Sequence, residues 1–593
     1  MPMKAHSQIK NPMSAVSAVS AVSVEIAIDE QAHRNLVDTE FLQAWQALHD
    51  SCPHATAFQA PHFVRTWYSA YRAKWRPVVV RGFDAQRNLV GLWLLAYEST
   101  TDVLTHAGAH QAEYHAWLAR AECAVAFLAA AWREIQQRLR FATLRFKYLP
   151  STLLTDCLRN TPGMRGQLGA RIINRPLALL RAAEIKASFA KKSNKSRFNR
   201  LKRLGTLEFE RIAAPDQLDR VLDDLIACYD FQQGATHAVS PFREDPVKRE
   251  FHRALLSTGD AGSHLTVTKL DGRAIAGVWG AVSGKVLHVG ILFHSPLLAE
   301  YSPGKLHLML LSEFLLEEGF VTLDLTPGGD EWKDRFANVH DQVVEVVLHR
   351  TRWERVRDDL LAQSLAWTKR RLGAVGVSPS ALKSALKSLQ RANAASLWRK
   401  FVAWFEKRRE YRVYFADRTT ATSRSHDARV QRNSLTDLIN FEPVETWQTR
   451  EAFLSDALSR LKSGEFVYTL RVGDRLACVG WMVRLQSKSF LTEVQQSITF
   501  GPGTSTLYDF YTHPDFRGRG FYRALLGHMI FDAFIDDRVN RVCIGVLADN
   551  VSSRRAIEAS GFGYQGSLYW RQRFGAQTKH ADPVFSATED VDA

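Results

Sequence analysis

At 593 residues the chain is longer than one hydrophobic core can organise, so three or four folded units are expected. With 46% hydrophobic and 23% charged residues it has the composition of a folded globular protein, which excludes a largely disordered chain. A net charge of +15 points to an anionic partner only where it is concentrated on one surface.

Two stretches concentrate it. Residues 351–412 hold 15 Lys/Arg against 5 Asp/Glu, and KASFAKKSNKSRFNRLKRLG (186–205) has eight basic residues and no acid. Each is either a solvated helix face or a surface for nucleic acid, anionic membrane, or an anionic substrate or cofactor; no recognised nucleic-acid-binding module accompanies them. No run of about 20 uncharged apolar residues is present, and the opening MPMKAHSQIKNPMSAVSAVSAVSVEIAI has no apolar block ending in a cleavage site, so neither a membrane span nor a signal peptide is expected. Six scattered cysteines without a CxxC pair fit neither a disulfide framework nor a zinc site, and a cytoplasmic location without a metal is expected.

Residues 1–25, with a threefold Ser-Ala-Val repeat, read as a flexible leader. DTEFLQAWQALHDS and CAVAFLAAAWREIQQRL have helical periodicity; PVVVRGFDAQRNLVGLWLLAYES reads as strand, turn, strand, and FATLRFKYL as a strand. A second unit opens with the basic helix and contains a three-stranded meander over 263–294, whose turns at Asp271-Gly272 and Ser283-Gly284 supply the positive-φ positions of tight hairpins. SPGKLHLMLLSEFLLEEG follows as a helix with Ser302 as N-cap, Pro303 in its first turn and Gly319 at its end. Residues 351–416 read as a basic helical connector and 417–434 as a polar linker. The last unit, 435–575, alternates strands and helices and ends in FGYQGSLYWRQRF as a strand pair, leaving 576–593 as a tail. The class expected is α/β, with α+β mixed sheets.

Within the last unit, HPDFRGRGFYRALL (513–526) runs from a strand into a helix. The first turn of a helix presents backbone N–H groups without intrahelical partners and about half a positive charge, so an anion fits there. Gly518 and Gly520 clear side chains from those donors while Arg517 and Arg519 add charge, which makes the stretch a candidate phosphate cradle; alone it is equally a plain strand-to-helix turn.

The surroundings extend the pattern: Pro514 precedes Gly518 by four residues, and NVSSRRAIEASGF (550–562) follows a later strand. Over 435–575 the chain resembles the GCN5-related N-acetyltransferase (GNAT) superfamily, matching one motif at Pro514, Arg517, Gly518, Arg519 and Gly520 and another at Asn550, Ser553, Gly561 and Phe562. The resemblance implies acetyl-CoA or another acyl-CoA as co-substrate, its pyrophosphate held by N–H groups from Arg517 through Phe521 to Tyr522, its pantetheine arm paired with the strand at Phe510 and Tyr511, and contacts from Asn550 and Ser553. Two positions depart from the family. Tyr522 stands where Gly or Ala is usual, and Ile557 where a tyrosine acid is frequent, so Tyr564, Tyr569 or solvent would have to serve as acid; Glu493 and Asp509 are either the candidate bases or plain surface carboxylates.

Residues 26–350 resemble the acetyltransferase family associated with bacterial cellulose and other exopolysaccharide biosynthesis, related to Fem-type peptidyltransferases and built from two GNAT-like halves. The resemblance rests on NLVGLWLL, HAGAHQAEYHAW, AIAGVWG, YSPGKLHLMLL and LDLTPGGDEWKDRF. It implies halves at 26–178 and 179–350 and a candidate site at Ser302, Pro303, Gly304 and Lys305. Asp324 and Lys333 are either a buried pair or part of an acceptor site. Glu113-Tyr114-His115 stands where that family places an acidic-aromatic pair, or is a loop cluster. The expectation is therefore a tandem of GNAT-like folds, a double-GNAT front half and a separate C-terminal GNAT domain. Together they form an acyltransferase for a small-molecule or saccharide amine or hydroxyl. Two alternatives stand beside it: a front half that uses aminoacyl-tRNA, the one case in which nucleic acid is a partner, and a C-terminal domain that binds coenzyme A without catalysis.

Overall fold

The computed structural model describes residues 22–257, 262–357, 360, 406–420, 426–445, 448–574 and 576–586. In the front unit the strands are β1 (Ser23–Ile28), β2 (Arg76–Phe83), β3 (Leu89–Glu98), β4 (Val103–His106), β5 (Leu118–Ala119), β6 (Thr143–Pro150), β7 (Leu168–Leu179), β8 (Leu207–Ile212), β9 (Ser263–Leu270), β10 (Arg273–Ser283), β11 (Val286–His294), β12 (Thr322–Asp324) and β13 (Val339–His349). They form one sheet in the order β1-β2-β3-β4-β6-β13-β7-β12-β11-β10-β9-β8, with β5 paired to β3. The back unit has β14 (Glu406–Asp417), β15 (Val430–Arg432), β16 (Phe466–Val472), β17 (Arg475–Val483), β18 (Lys488–Leu491), β19 (Gln496–Thr499), β20 (Thr504–Thr512), β21 (Arg541–Leu547), β22 (Gly563–Arg573) and β23 (Ala576–Ala581). Its main sheet runs β15-β16-β17-β20-β21-β14-β22-β23.

One arrangement occurs three times. Antiparallel strands lead into a helix that crosses back to a strand parallel to the last of them. β2-β3-β4 is followed by the helix Ala124–Arg138 and β6; β10-β11 by the helix Pro303–Glu317 and β12; β17-β20 by the helix Phe521–Ala533 and β21. A parallel pair requires such a crossover, and the helix covers the sheet face that the strands leave apolar.

The two front halves share their strands. β7 spans the boundary expected at 178–179, pairing with β13 over Leu168–Leu177 and with β12 over Leu177–Leu179. β13, from the end of the second half, lies between β6 and β7. Val344, Val346 and Leu348 of β13 join the core of Trp93, Leu128 and Phe146, while Val343 packs into the cluster on the other face. A strand apolar on both faces belongs inside a sheet.

The expected connector and linker are corrected in the same way. Residues 406–417 form β14, inserted between β21 and β22, not a helix. Tyr411 and Val413 face one core and Tyr414 and Ala416 the other, a period of two that the flanking arginines obscure. Residues 361–405 of that connector lie outside the described residues. The linker at 417–434 holds β15, and Val430 is in the core. Gly563–Arg573 is a single strand whose partner, β23, falls in the stretch expected to be a tail. The leader lies outside the described residues up to 21, and Ser23–Glu25 already belong to β1.

The two units share a core. Leu218, Leu222 and Leu225 of the helix Pro215–His237 pack with Leu438, Leu454 and Leu461 of the back unit. Among the described residues no helix is long and apolar enough to cross a membrane, and all six cysteines are buried and free.

Candidate functional site

In the back unit β20 ends at Thr512, a short turn follows at Pro514–Phe516, and the helix Phe521–Ala533 begins with Gly520 as its N-cap. Gly518 and Gly520 have φ of 75° and 78°, the left-handed region that favours glycine, and a Cβ on either would meet nothing within 4 Å. Their role is to set the turn that aims the N–H groups of the helix's first turn outward. Arg517 donates to the Thr512 carbonyl at 3.2 Å and pairs with Glu445 at 3.5 Å, while Arg519 lies over the Phe516 ring. Asn550 caps the helix Val551–Ala559, its Oδ1 accepting from the Ser553 N–H at 3.2 Å and from Ser552 Oγ at 3.1 Å.

β20 and β21 pair only over Thr504–Leu507 and Arg541–Ile544 and separate beyond, leaving one edge of β20 at Phe510 and Tyr511 without a partner strand. The separation coincides with a bulge: the β17–β20 register shifts between Val479 and Trp481, and Asp509 has φ 50°. Gly480 accommodates it, since a Cβ there would stand 2.6 Å from the Phe510 ring. The Phe510 ring meets the edge of Tyr522 at 5.0 Å, and the Tyr522 hydroxyl interacts with Ser553. Tyr522 thus joins the start of the crossover helix to the Asn550-capped helix, beside the gap between the strands. Burial raises its pKa.

The expected catalytic residues of the back unit do not converge. Asp509 is paired with Arg460 at 2.7 Å, and Arg460 lies against Trp481 and Tyr508. Glu493 lies in the turn of the β18–β19 hairpin, where its carbonyl accepts from Arg409 beside the Tyr411 and Val494 cluster. Tyr564 is on the opposite sheet face, next to Tyr414, its hydroxyl bonded to Ser567 at 2.9 Å. Ile557 is buried. The face that carries Arg460, Trp481 and Tyr508 is covered by the front unit. A Cβ on Gly234 would stand 2.7 Å from Leu454, and Arg243 donates to Asn440 at 2.8 Å and to the Ile439 carbonyl.

The front unit repeats the splayed pair. β11 and β12 are paired over Val286–His288 and Thr322–Asp324 only, while β11 continues to His294. The β10–β11 register shifts between Trp279 and Gly280, which leaves Gly290 as the extra residue of a bulge. Asp324 closes the base of the opening: its Oδ2 accepts from Tyr114 Oη, Arg175 Nη2 and His288 Nδ1, each at 2.7 Å, and its Oδ1 from the Thr326 N–H at 2.9 Å. Burial opposes its charge, but His288 and then Arg175 outweigh burial and hold the carboxyl well below the usual range. Lys333 is not its partner. The Lys333 ammonium donates to the carbonyls of Thr326 and Pro327 at 3.3 and 3.2 Å and lies 3.6 Å from Asp330; burial lowers its pKa.

Above this base is a cleft bordered by Glu113, Lys147, Gln232, His294 and Lys333, with Leu458 and Lys462 of the back unit on its rim. Glu113 pairs with Lys147 at 2.7 Å. His294 Nδ1 is buried without a partner, and burial pushes the imidazole down to about 4. Ser302 has φ 54° and makes no side-chain cap, correcting the reading of it as a hydroxyl cap; Pro303 opens the helix, and Gly304 leaves room for the His294 ring 3.1 Å from its Cβ position. Lys305 donates to Asn194 at 2.8 Å in a neighbouring cleft that also holds Lys191 and Arg335. Sequence reasoning missed Arg175, Lys147 and His288. Only His288 left a signal, a polar residue interrupting the apolar run of β11.

Two segments match models of acetyltransferases: residues 188–334 match an acetyltransferase (GNAT) domain and residues 432–562 the acetyltransferase (GNAT) family. The chain therefore carries two domains of the GNAT superfamily, one in the large front sheet and one in the back sheet. Among solved structures it is similar to the C-terminal domain (DUF2156) of a putative lysylphosphatidylglycerol synthetase from Agrobacterium fabrum, with 13% identity, 57% of this chain and 97% of that one covered, and a TM-score of 0.36. FemX is similar at 12% identity over 51% and 95% with a TM-score of 0.37. A tandem GNAT protein from the clavulanic acid biosynthesis pathway is similar at 13% over 63% and 99% with a TM-score of 0.21. No curated protein matches this chain.

Proposed function

We propose that the front unit is an acyl-CoA-dependent transferase acting on an amine or hydroxyl of a saccharide acceptor in exopolysaccharide or cell-envelope polysaccharide biosynthesis, in the cytoplasm. The observation that carries the reaction class is the parting of β11 from β12 at His288 and Asp324, with the Gly290 bulge beside a cleft that holds Glu113, Lys147 and Lys333. The acceptor class rests on the resemblance of residues 26–350 alone. When bound, an acyl-CoA supplies an activated thioester carbonyl. The free N–H groups at the start of the helix Pro303–Glu317, with Lys305, Lys191 and Arg335 nearby, suit its phosphates. The unpaired edge of β11 suits its pantetheine arm and, at the bulge, the carbonyl oxygen. Glu113 takes the proton of the attacking acceptor, and Lys333, made more acidic by burial, is the candidate acid for the departing sulfur.

In this reading the back domain binds coenzyme A without catalysis. Supporting it are the scattered positions of Glu493, Asp509 and Tyr564, the bridge from Tyr522 to Ser553, and the burial of the opposite face against the front unit. The experiment is thiol release from acyl-CoA by the full chain against a panel of amino sugars and polysaccharide fragments. Glu113→Gln is expected to lower kcat roughly 10²–10⁴-fold; an unchanged rate removes Glu113 as base, and no turnover with any donor and acceptor rejects the reading.

A second reading is favoured by one observation. The helices Ala182–Ala190 and Lys192–Lys202 expose Lys192, Lys195 and Lys202 next to the cleft of Lys191 and Lys305, a surface suited to an aminoacyl-tRNA donor. Salt-sensitive tRNA binding would support it, and salt-insensitive or absent binding would reject it.

A further inference from the structure

The acceptor cleft meets a second cavity of different character at Gly290 and Glu113, which line both. This cavity, about 390 Å³, lies between the two front halves. Its walls include Phe58, Phe63, Leu255, Trp279 and Ile291.

Most of the polar side chains that border it are occupied elsewhere. Ser283 Oγ accepts from the Ala57 N–H at 2.8 Å and lies 3.0 Å from His288 Nε2; Ser263 Oγ accepts from Trp279 Nε1 at 3.0 Å. Gln111 donates to Tyr71 at 3.0 Å, and His49 Nε2 lies 2.9 Å from the Thr56 carbonyl. His252 packs on Trp279 at 4.7 Å with its Nε2 buried and without a partner, and burial first, then Lys248, lowers its pKa well below the usual value. A ligand in this cavity therefore meets mostly apolar surface, with the His252 ring in the wall and Glu113 where cavity and cleft join.

The position decides what fits. A polar acceptor belongs in the polar cleft, and a thioester carbonyl held at the Gly290 bulge stands where cleft and cavity join. Only the transferred group then lies on the cavity side, and an acetyl group is too small to use it. Resting on the transferase reading above, we propose that this cavity holds the hydrocarbon tail of the transferred group, so that the front site prefers a medium-chain acyl-CoA to acetyl-CoA. In the transfer the acyl C–S bond breaks, an acyl–N or acyl–O bond forms, and the acceptor proton ends on the coenzyme sulfur.

The test is calorimetric binding of acetyl-, butyryl-, hexanoyl- and octanoyl-CoA to the full chain carrying Gly520→Glu, which removes the coenzyme site proposed for the back domain, repeated with Ala281→Phe, which fills the cavity, and Leu255→Ala, which enlarges it. Affinity is expected to rise roughly fourfold per added methylene, the transfer free energy of one buried CH₂. Ala281→Phe should flatten that series and Leu255→Ala extend it to longer chains, each variant being checked for an intact thermal transition. Equal affinity for acetyl- and octanoyl-CoA in that background, or an unchanged series in both folded cavity variants, overturns the inference and leaves the transferase reading standing. Failure of every acyl-CoA to bind, acetyl-CoA included, rejects both.

Discussion

His288 and Asp324 face each other on β11 and β12, Nδ1 to Oδ2 at 2.7 Å, as the last matched pair before the two strands separate. With Arg175 and Tyr114 on the same oxygen, this carboxylate ties the two front halves together at the base of the cleft. Its charge is matched by its partners, so removing it leaves buried donors and a guanidinium uncompensated.

Asp324→Asn is expected to destabilise the front unit by about 3–5 kcal/mol, the range for breaking a buried ion pair. Because the folded carboxyl titrates below its unfolded value of about 3.9, its stabilisation is complete above that value and is lost as pH falls through the folded one. Urea unfolding of wild type and variant should therefore differ most at neutral pH, with the gap narrowing in acid. A gap that does not change with pH contradicts this assignment.

Val413 is buried in β14, the strand that closes the back sheet from a stretch outside the expected domain. Val413→Asp places an unpaired charge between β21 and β22 and should cost roughly 3–5 kcal/mol. Limited proteolysis is expected to cut the back unit first; a wild-type digestion pattern would contradict the central position of β14.

Gly234 fits under Leu454 where the helices Pro215–His237 and Arg450–Lys462 cross. Gly234→Trp should wedge that shared core apart, and scanning calorimetry should resolve separate front and back transitions where the wild type has coupled ones. One unaltered transition would mean that the interface does not couple the units.

Tyr522 sits beside the coenzyme route proposed for the back domain. Tyr522→Ala restores the small residue usual at this position and is expected to raise coenzyme A affinity there, at a stability cost of about 0.5–3 kcal/mol for a half-buried ring packed against the core. Gly520→Glu, which puts a carboxylate at the phosphate position and a side chain at φ 78°, is expected to abolish that binding. If the affinities of both variants match the wild type by calorimetry, the cradle is not where coenzyme A binds.

The local signals were legible. The turns at Asp271-Gly272 and Ser283-Gly284, the helix ended by Gly319 and the positive-φ glycines at 518 and 520 are where short-range rules put them, because backbone conformation there depends on one or two residues. The motif at Asn550 was legible too, and its capping role follows from its side chain. The connector was misread because net charge masked a strand's alternation in REYRVYFA. The Asp324–Lys333 pairing stayed open because both residues lie in one stretch, whereas the partners of Asp324 come from Tyr114, Arg175 and His288, 36 to 210 residues away.

By itself the sequence determined the class of fold, the position of the two helices that open at Pro303 and Phe521, and membership of the superfamily. It did so because turns, caps and periodicity are properties of neighbouring residues. Tertiary structure alone decided which strands pair, that the two front halves exchange β7 and β13, that β14 completes the back sheet, and that a polar cleft and an apolar cavity meet at Gly290. Those are contacts between residues distant along the chain, and they are selected by the joint burial of apolar faces, which no single stretch encodes.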